Sequence, residues 1–287
     1  MDQIKLGIEV LSRIESELRA PPSEAAPPAP KRPAGLPYSA ENPPALPDMV
    51  EEMGVLPPAS MIIGACDDRS HLFLELTEPQ PGAILILGEA GSGKSRLLQA
   101  MIGSLAAVNS PRHVRYALIC DIEPDVQELI EKPHCYRHYW PNALKAGDLV
   151  LELADLIEKR QEYKQDWSAV VLAIDDLSSF VNYLDDETIE QLAWLIANGP
   201  EVRIWTIATL PVADLRKLDK DLIKAFGTRL VGKINEPEMA EEISGSANAR
   251  PQTLQMGNQF GVVFGEEWIP FWVPTLAWKP AAPPART

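Results

Sequence analysis

The chain has 287 residues, 46% of them hydrophobic, with 26 Lys and Arg against 41 Asp and Glu and a formal net charge of −15 at pH 7. The apolar content excludes wholesale disorder and suffices for a sizeable core. The acid excess excludes a basic coat that would hold nucleic acid non-specifically, because phosphate binding requires Lys and Arg to displace condensed counterions; a local basic surface stays open. Three widely spaced cysteines, Cys66, Cys120 and Cys135, fit free thiols in a reducing cytoplasm. No run approaches the roughly 20 apolar residues of a bilayer span, and Met1–Lys5 lack the basic start and apolar run of a secretion signal. The expectation is a cytoplasmic chain without an intrinsic membrane span.

Ile4, Ile8, Leu11, Ile14 and Leu18 recur three or four apart and predict an amphipathic helix within residues 1–19, packed on its own domain or serving as a handle for a partner. Residues 20–59 contain twelve prolines and no sustained apolar period, which predicts an extended Pro-rich linker. Residues 279–287 read as a similar tail, so the folded body is expected over 60–278.

Within that body, short apolar runs alternate with helix-period segments. The runs are Met61–Ile63, Leu72–Leu76, Ala83–Leu87, Val114–Cys120, Ala169–Ile174, Ile204–Ala208, Arg229–Ile234 and Phe260–Phe264. The helical segments are Lys94–Val108, Ala143–Gln165 and Glu187–Ala197. This alternation predicts an α/β fold with a mostly parallel central sheet flanked by helices. Unbroken runs such as Ala83–Leu87 fit strands buried on both faces.

Directly after Ala83–Leu87 stands Gly88-Glu89-Ala90-Gly91-Ser92-Gly93-Lys94-Ser95, followed by Arg96 and a helical pattern. This is a complete G-x-x-x-x-G-K-[ST] motif in its strand–loop–helix context. Glycines let several backbone N–H groups converge on one concavity, and the helix N-terminus adds positive potential, so the loop cradles phosphate oxygens. Lys94 would reach the β- and γ-phosphates of ATP and Ser95 would hold Mg²⁺. Residues 88–96 are therefore the expected nucleotide-binding set.

A phosphate loop needs an acidic residue at the end of a neighbouring strand. Ala169–Ile174 followed by Asp175-Asp176 supplies it, 81 positions after Lys94. Asp175 is the expected Mg²⁺-shell residue with Ser95, and Asp176 the expected catalytic carboxylate beside Lys94. Capping of the next helix is the competing role, with more weight at Asp176.

Together these residues resemble the FtsK/HerA family of P-loop ATPases. Met61-Ile62-Ile63-Gly64 with Leu72–Leu76 is similar to the small strand pair ahead of the family's phosphate loop. Val114–Cys120 with Asp121 and Pro133-His134 is similar to its second strand and Pro-His segment. Glu158-Lys159-Arg160 resembles the charged end of its long helix, and Ile204–Thr209 with Pro211 its sensor strand. The resemblance implies a RecA-like fold, ATP hydrolysis with Mg²⁺, translocation of double-stranded DNA and a ring oligomer, a hexamer in the family. It also implies an arginine finger, for which Arg160 is the favoured match and Arg229 the second.

Two positions depart from the family: Asp176 stands where Glu is usual, and Leu210 where a Gln follows Ala-Thr. Leu210 has no hydrogen-bonding group for a water or phosphate. Neither membrane-spanning segments nor a winged-helix extension fits within the chain, so it reads as a reduced motor domain. The alternative is an ATP-binding assembly module with slow or absent turnover, acting in a larger protein complex through the N-terminal helix or the Pro-rich segments.

Arg203, Arg216, Lys217, Lys220, Lys224, Arg229 and Lys233 outnumber the acids between them and offer a strip for a DNA backbone, or simply a solvated face. His134, Cys135 and His138 lack a fourth partner at zinc-site spacing, so a metal there is not expected. Trp268, Trp272 and Trp278 read as packing residues.

Overall fold

The computed structural model describes residues 6–8, 38–77, 79–163 and 167–276. Among these residues eleven strands form one sheet in the order β1-β3-β2-β11-β10-β9-β4-β8-β7-β5-β6. They are β1 (Leu6–Ile8), β2 (Ser60–Ala65), β3 (His71–Glu75), β4 (Ile84–Gly88), β5 (Val114–Ile119), β6 (Cys135–Tyr139), β7 (Ala169–Ile174), β8 (Ile204–Pro211), β9 (Thr228–Val231), β10 (Gln259–Phe264) and β11 (Glu267–Trp272). From β9 to β6 all neighbours run parallel, and the remaining pairs are antiparallel.

The parallel strands are buried on both faces because their apolar runs are unbroken. In β4, Ile84 and Ile86 join one core cluster while Leu85 and Leu87 join the other. In β7, Val171 and Ala173 divide from Val170, Leu172 and Ile174 in the same way. Helix Lys94–Val108 packs on the first face and helices Leu144–Glu162 and Asp186–Asn198 on the second, giving three layers. The first face is pinned by Ser104, whose hydroxyl accepts from Ile62 N at 2.9 Å.

Two expectations are corrected at the N-terminal side. Leu6–Ile8, inside the expected helix, is a strand paired antiparallel with β3 through Leu6↔Leu74 and Ile8↔Leu72. An unpaired sheet edge recruits extended chain to satisfy its N–H and C=O groups, which the helical spacing of this segment does not reveal. The other residues of 1–37 and the tail 277–287 lie outside the described residues.

The expected linker also contains a helix, α1 (Leu46–Met53), with a proline in its first turn. Proline there forfeits only an N–H that has no helical partner, so it marks a start rather than a break. Leu46 and Met49 are each 1% exposed and pack with Ile62, Ala65 and Leu276. Because this packing is full burial, Leu46→Ala and Met49→Ala should each lower stability by about 2–4 kcal/mol in a urea titration. Changes near zero would show that α1 is not docked.

Candidate functional site

Strand β8 lies between β4 and β7, so the three C-terminal strand ends carrying Gly88, Thr209 and Asp175 meet at one edge of the sheet. Gly91 and Gly93 adopt φ of 78° and 91°, the left-handed region open to glycine. At Gly93 a Cβ would also come 2.5 Å from the Gly257 carbonyl oxygen, so the loop before β10 lies directly on the phosphate loop. The Glu89 side chain turns away from the cradle, accepting from Asn235 N and Nδ2, each at 2.7 Å. Ser92 is fully buried, and its Oγ has no partner among the described residues.

Lys94 Nζ donates to the Glu89 carbonyl at 2.9 Å and the Gly88 carbonyl at 3.3 Å, folding back over the cradle. Burial pulls its ammonium below the ordinary lysine range, while the negative charges of Asp175, Asp176 and Asp214 push the other way. Asp175 accepts from the Thr209 hydroxyl and from Ser95. Burial raises its carboxyl above the usual range, against the pull of those two hydroxyls. Ser95 and Asp175 thus form a pair of hard oxygen donors of the kind that suits Mg²⁺.

Beside the loop is a cleft of about 760 Å³ lined by residues of the loop and helix, including Lys94, Ser95, Arg96 and Gln99. Glu123, Asp125 and Glu128 form one wall, and Pro274–Leu276 another. Arg96 donates to Asn258 Oδ1 at 2.6 Å and ties the start of the helix to the loop before β10. The cleft is large enough for a nucleotide, and Lys94 and Ser95 on its lining, at the N-terminus of the helix, fit a phosphate group.

Residues 66–173 match the model of the FtsK/SpoIIIE family. Over these residues the chain is similar to the FtsK/SpoIIIE family, and its mostly parallel sheet flanked by helices is the fold of P-loop ATPases. Among solved structures, EssC (ATPases 2 and 3) from Geobacillus thermodenitrificans is 16% identical with a TM-score of 0.63, over 77% of this chain and 46% of that one. Thermomonospora curvata EccC (ATPases 2 and 3), in complex with a signal sequence peptide, is 18% identical with a TM-score of 0.63, over 88% and 45%. The conjugation coupling protein TcpA of pCW3, in its monomer form with ATPγS, is 15% identical with a TM-score of 0.61, over 86% and 71%. The chain thus spans about half the length of the EssC and EccC structures it matches. No curated protein matches the sequence.

Asp176 has the capping role. Its Oδ1 accepts from Ser179 N at 2.6 Å and Ser178 Oγ lies 2.8 Å away, while Oδ2 accepts from Ser179 Oγ at 3.2 Å. The carboxylate is thereby committed to the start of helix Leu177–Val181.

Arg160 is turned into its own chain: it is 6% exposed and donates to the backbone carbonyls of Val202 at 2.8 Å and Arg203 at 3.2 Å. Its guanidinium also lies over the Trp167 ring, 5.4 Å from the centroid. A side chain that satisfies buried carbonyls of its own chain is not presented to a neighbouring subunit. Arg229 likewise donates to the Ile243 carbonyl at 2.9 Å, at the end of helix Pro237–Ser244.

Leu210 is fully buried on the second sheet face, whereas Thr209 faces Asp175, as strand alternation requires. Sequence reasoning passed over Asp214, which the 3₁₀ turn Val212–Lys217 places within the field of Lys94. Asp214 pairs with Lys217 Nζ at 2.6 Å and lies 3.0 Å from Ser178 Oγ. In the basic strip Lys224 pairs with Asp221 and Arg216 with Glu242. His134 Nε2 contacts the Asn109 carbonyl at 2.9 Å and His138 Nε2 the Cys120 carbonyl at 3.1 Å, both structural uses.

Lys94→Ala should abolish ATP binding in a calorimetric titration, and unchanged affinity would remove the phosphate loop from the site. Arg160→Ala should cost about 1–3 kcal/mol in urea denaturation, because it orphans buried carbonyls. Arg160→Ala subunits that remain folded should keep their ATP turnover, whereas loss of turnover at unchanged stability would restore Arg160 as an intersubunit residue.

Proposed function

We propose that the domain binds ATP with Mg²⁺, hydrolyses it to ADP and phosphate, and uses the cycle to move a polymer through a ring oligomer, with double-stranded DNA as the cargo. The observation that carries this reading is the meeting of Lys94, Ser95, Asp175 and Thr209 at one sheet edge beside the cleft. In this reading Lys94 supplies positive charge to phosphate oxygens, and Ser95 with Asp175 supplies paired oxygen donors for Mg²⁺.

The family match and the neighbours support a motor of this type. EccC is a type VII secretion ATPase seen with a signal sequence peptide, which makes a protein cargo the direct competitor of DNA. Free cysteines and the absence, among the described residues, of a helix long and apolar enough to cross a membrane accord with a cytoplasmic site of action. A second reading is an assembly module with slow turnover, docked on protein partners through the N-terminal or Pro-rich segments. The committed carboxylate of Asp176 favours it.

Steady-state ATP hydrolysis with and without long duplex DNA, with Lys94→Ala as the blank and light scattering for oligomeric state, separates the readings. The motor reading expects assembly and DNA-stimulated turnover of at least about threefold, because binding that favours the active state raises its population. Tight ATP binding without turnover under either condition would overturn it in favour of the scaffold.

A further inference from the structure

We propose that Glu123 is the carboxylate that orients the attacking water and accepts its proton, the work expected of Asp176 from the sequence. The assignment rests on the ATP-hydrolysis reading and names the group that would perform it.

The fold places Glu123 at the reacting edge. Strands β5 and β7 are parallel neighbours in register at Ile119↔Ile174, and Asp175 N donates to the Ile119 carbonyl at 2.9 Å. The chain leaving β5 therefore starts beside the Mg²⁺-type carboxylate. Four residues later, Glu123 precedes helix Pro124–Ile130 and lines the same cleft as Lys94 and Ser95.

Its side chain is also uncommitted. Glu123 occupies the N-cap position, but its carboxylate does not cap the helix, and it is exposed. Asp176, by contrast, has both oxygens engaged by Ser178 and Ser179. A base must have a free lone pair within reach of the proton it takes, so availability separates the two carboxylates. Of the three acids on the cleft wall, Glu123 is the nearest along the chain to the end of β5, where Asp175 N meets the Ile119 carbonyl.

In the step assigned, the water oxygen bonds to the γ-phosphorus, and the bond to the β–γ bridging oxygen breaks with its electron pair leaving on ADP. The water proton passes to the Glu123 carboxylate and then to solvent. Lys94 meets the charge that develops on the transferred group.

The test compares ATP turnover and MgATP affinity in the full chain for wild type, Glu123→Gln, Asp176→Asn and Asp121→Asn. Glu123→Gln should lower kcat by about 10²-fold or more while affinity stays within about threefold, the split expected when a proton acceptor is removed and ground-state binding is kept. Asp176→Asn should lose less, because Asn caps a helix as well as Asp does. Asp121→Asn removes a nearby charge outside the cleft lining and should leave kcat within about twofold. Wild-type turnover with Glu123→Gln equally active, or the reverse order of losses, would overturn the assignment and leave the ATPase reading standing. Failure of the wild type to bind MgATP would overturn the ATPase reading itself.

Discussion

A lysine ammonium drawn out of water needs compensating charge, and the site is organised around that requirement at Lys94. Two carbonyls of the phosphate loop and the fields of Asp175, Asp176 and Asp214 supply it. These groups come from β4, β7 and the turn after β8, so the compensation exists only because β8 is inserted between the other two strands. The insertion also places Thr209 against Asp175, which fixes that carboxylate in direction. Nucleotide phosphates would bring negative charge to the ammonium and release it from the carbonyls, so the conformation of Lys94 is coupled to occupancy of the cleft.

The antiparallel half of the sheet serves the same site from the other side. Loop Leu254–Asn258 rests on Gly93, and Asn258 holds Arg96 at the start of the phosphate-loop helix. Pro274–Leu276 forms a wall of the cleft and is itself tied to α1, where Thr275 N donates to the Pro44 carbonyl at 2.8 Å and Leu46 N to the Thr275 carbonyl at 2.9 Å. Residues 231 positions apart in the chain thereby brace one wall. The helix within the Pro-rich stretch is part of the cleft's support rather than a tether.

Most of the parallel sheet was legible because burial on both faces leaves unbroken apolar runs, and helix Lys94–Val108 agrees with the expected span at both ends. Strand β6 was not, because Cys135-Tyr136-Arg137-His138-Tyr139 is half-exposed at the sheet edge and carries no apolar run. Strand β11 contains Pro270, which reads as a break although it faces outward at position 4 of the strand. In the site, Lys94, Ser95 and Asp175 were readable because a motif fixes their backbone geometry. Asp214 and Glu123 sit in turns after strand ends, where position depends on tertiary path and not on spacing.

Residue type alone does not settle a role; the neighbours that take its atoms do. Asp176 has the right chemistry for a base, yet Ser178 and Ser179 follow it, and a helix N-terminus claims its oxygens. Arg160 has the right charge for a finger, yet the carbonyls of Val202 and Arg203 claim its guanidinium. The same logic reaches the basic strip, where Lys217 is bound to Asp214, an acid that already lies in the field of Lys94. Lys217 therefore spends its charge first on Asp214 and only then on the surface that a polymer would meet.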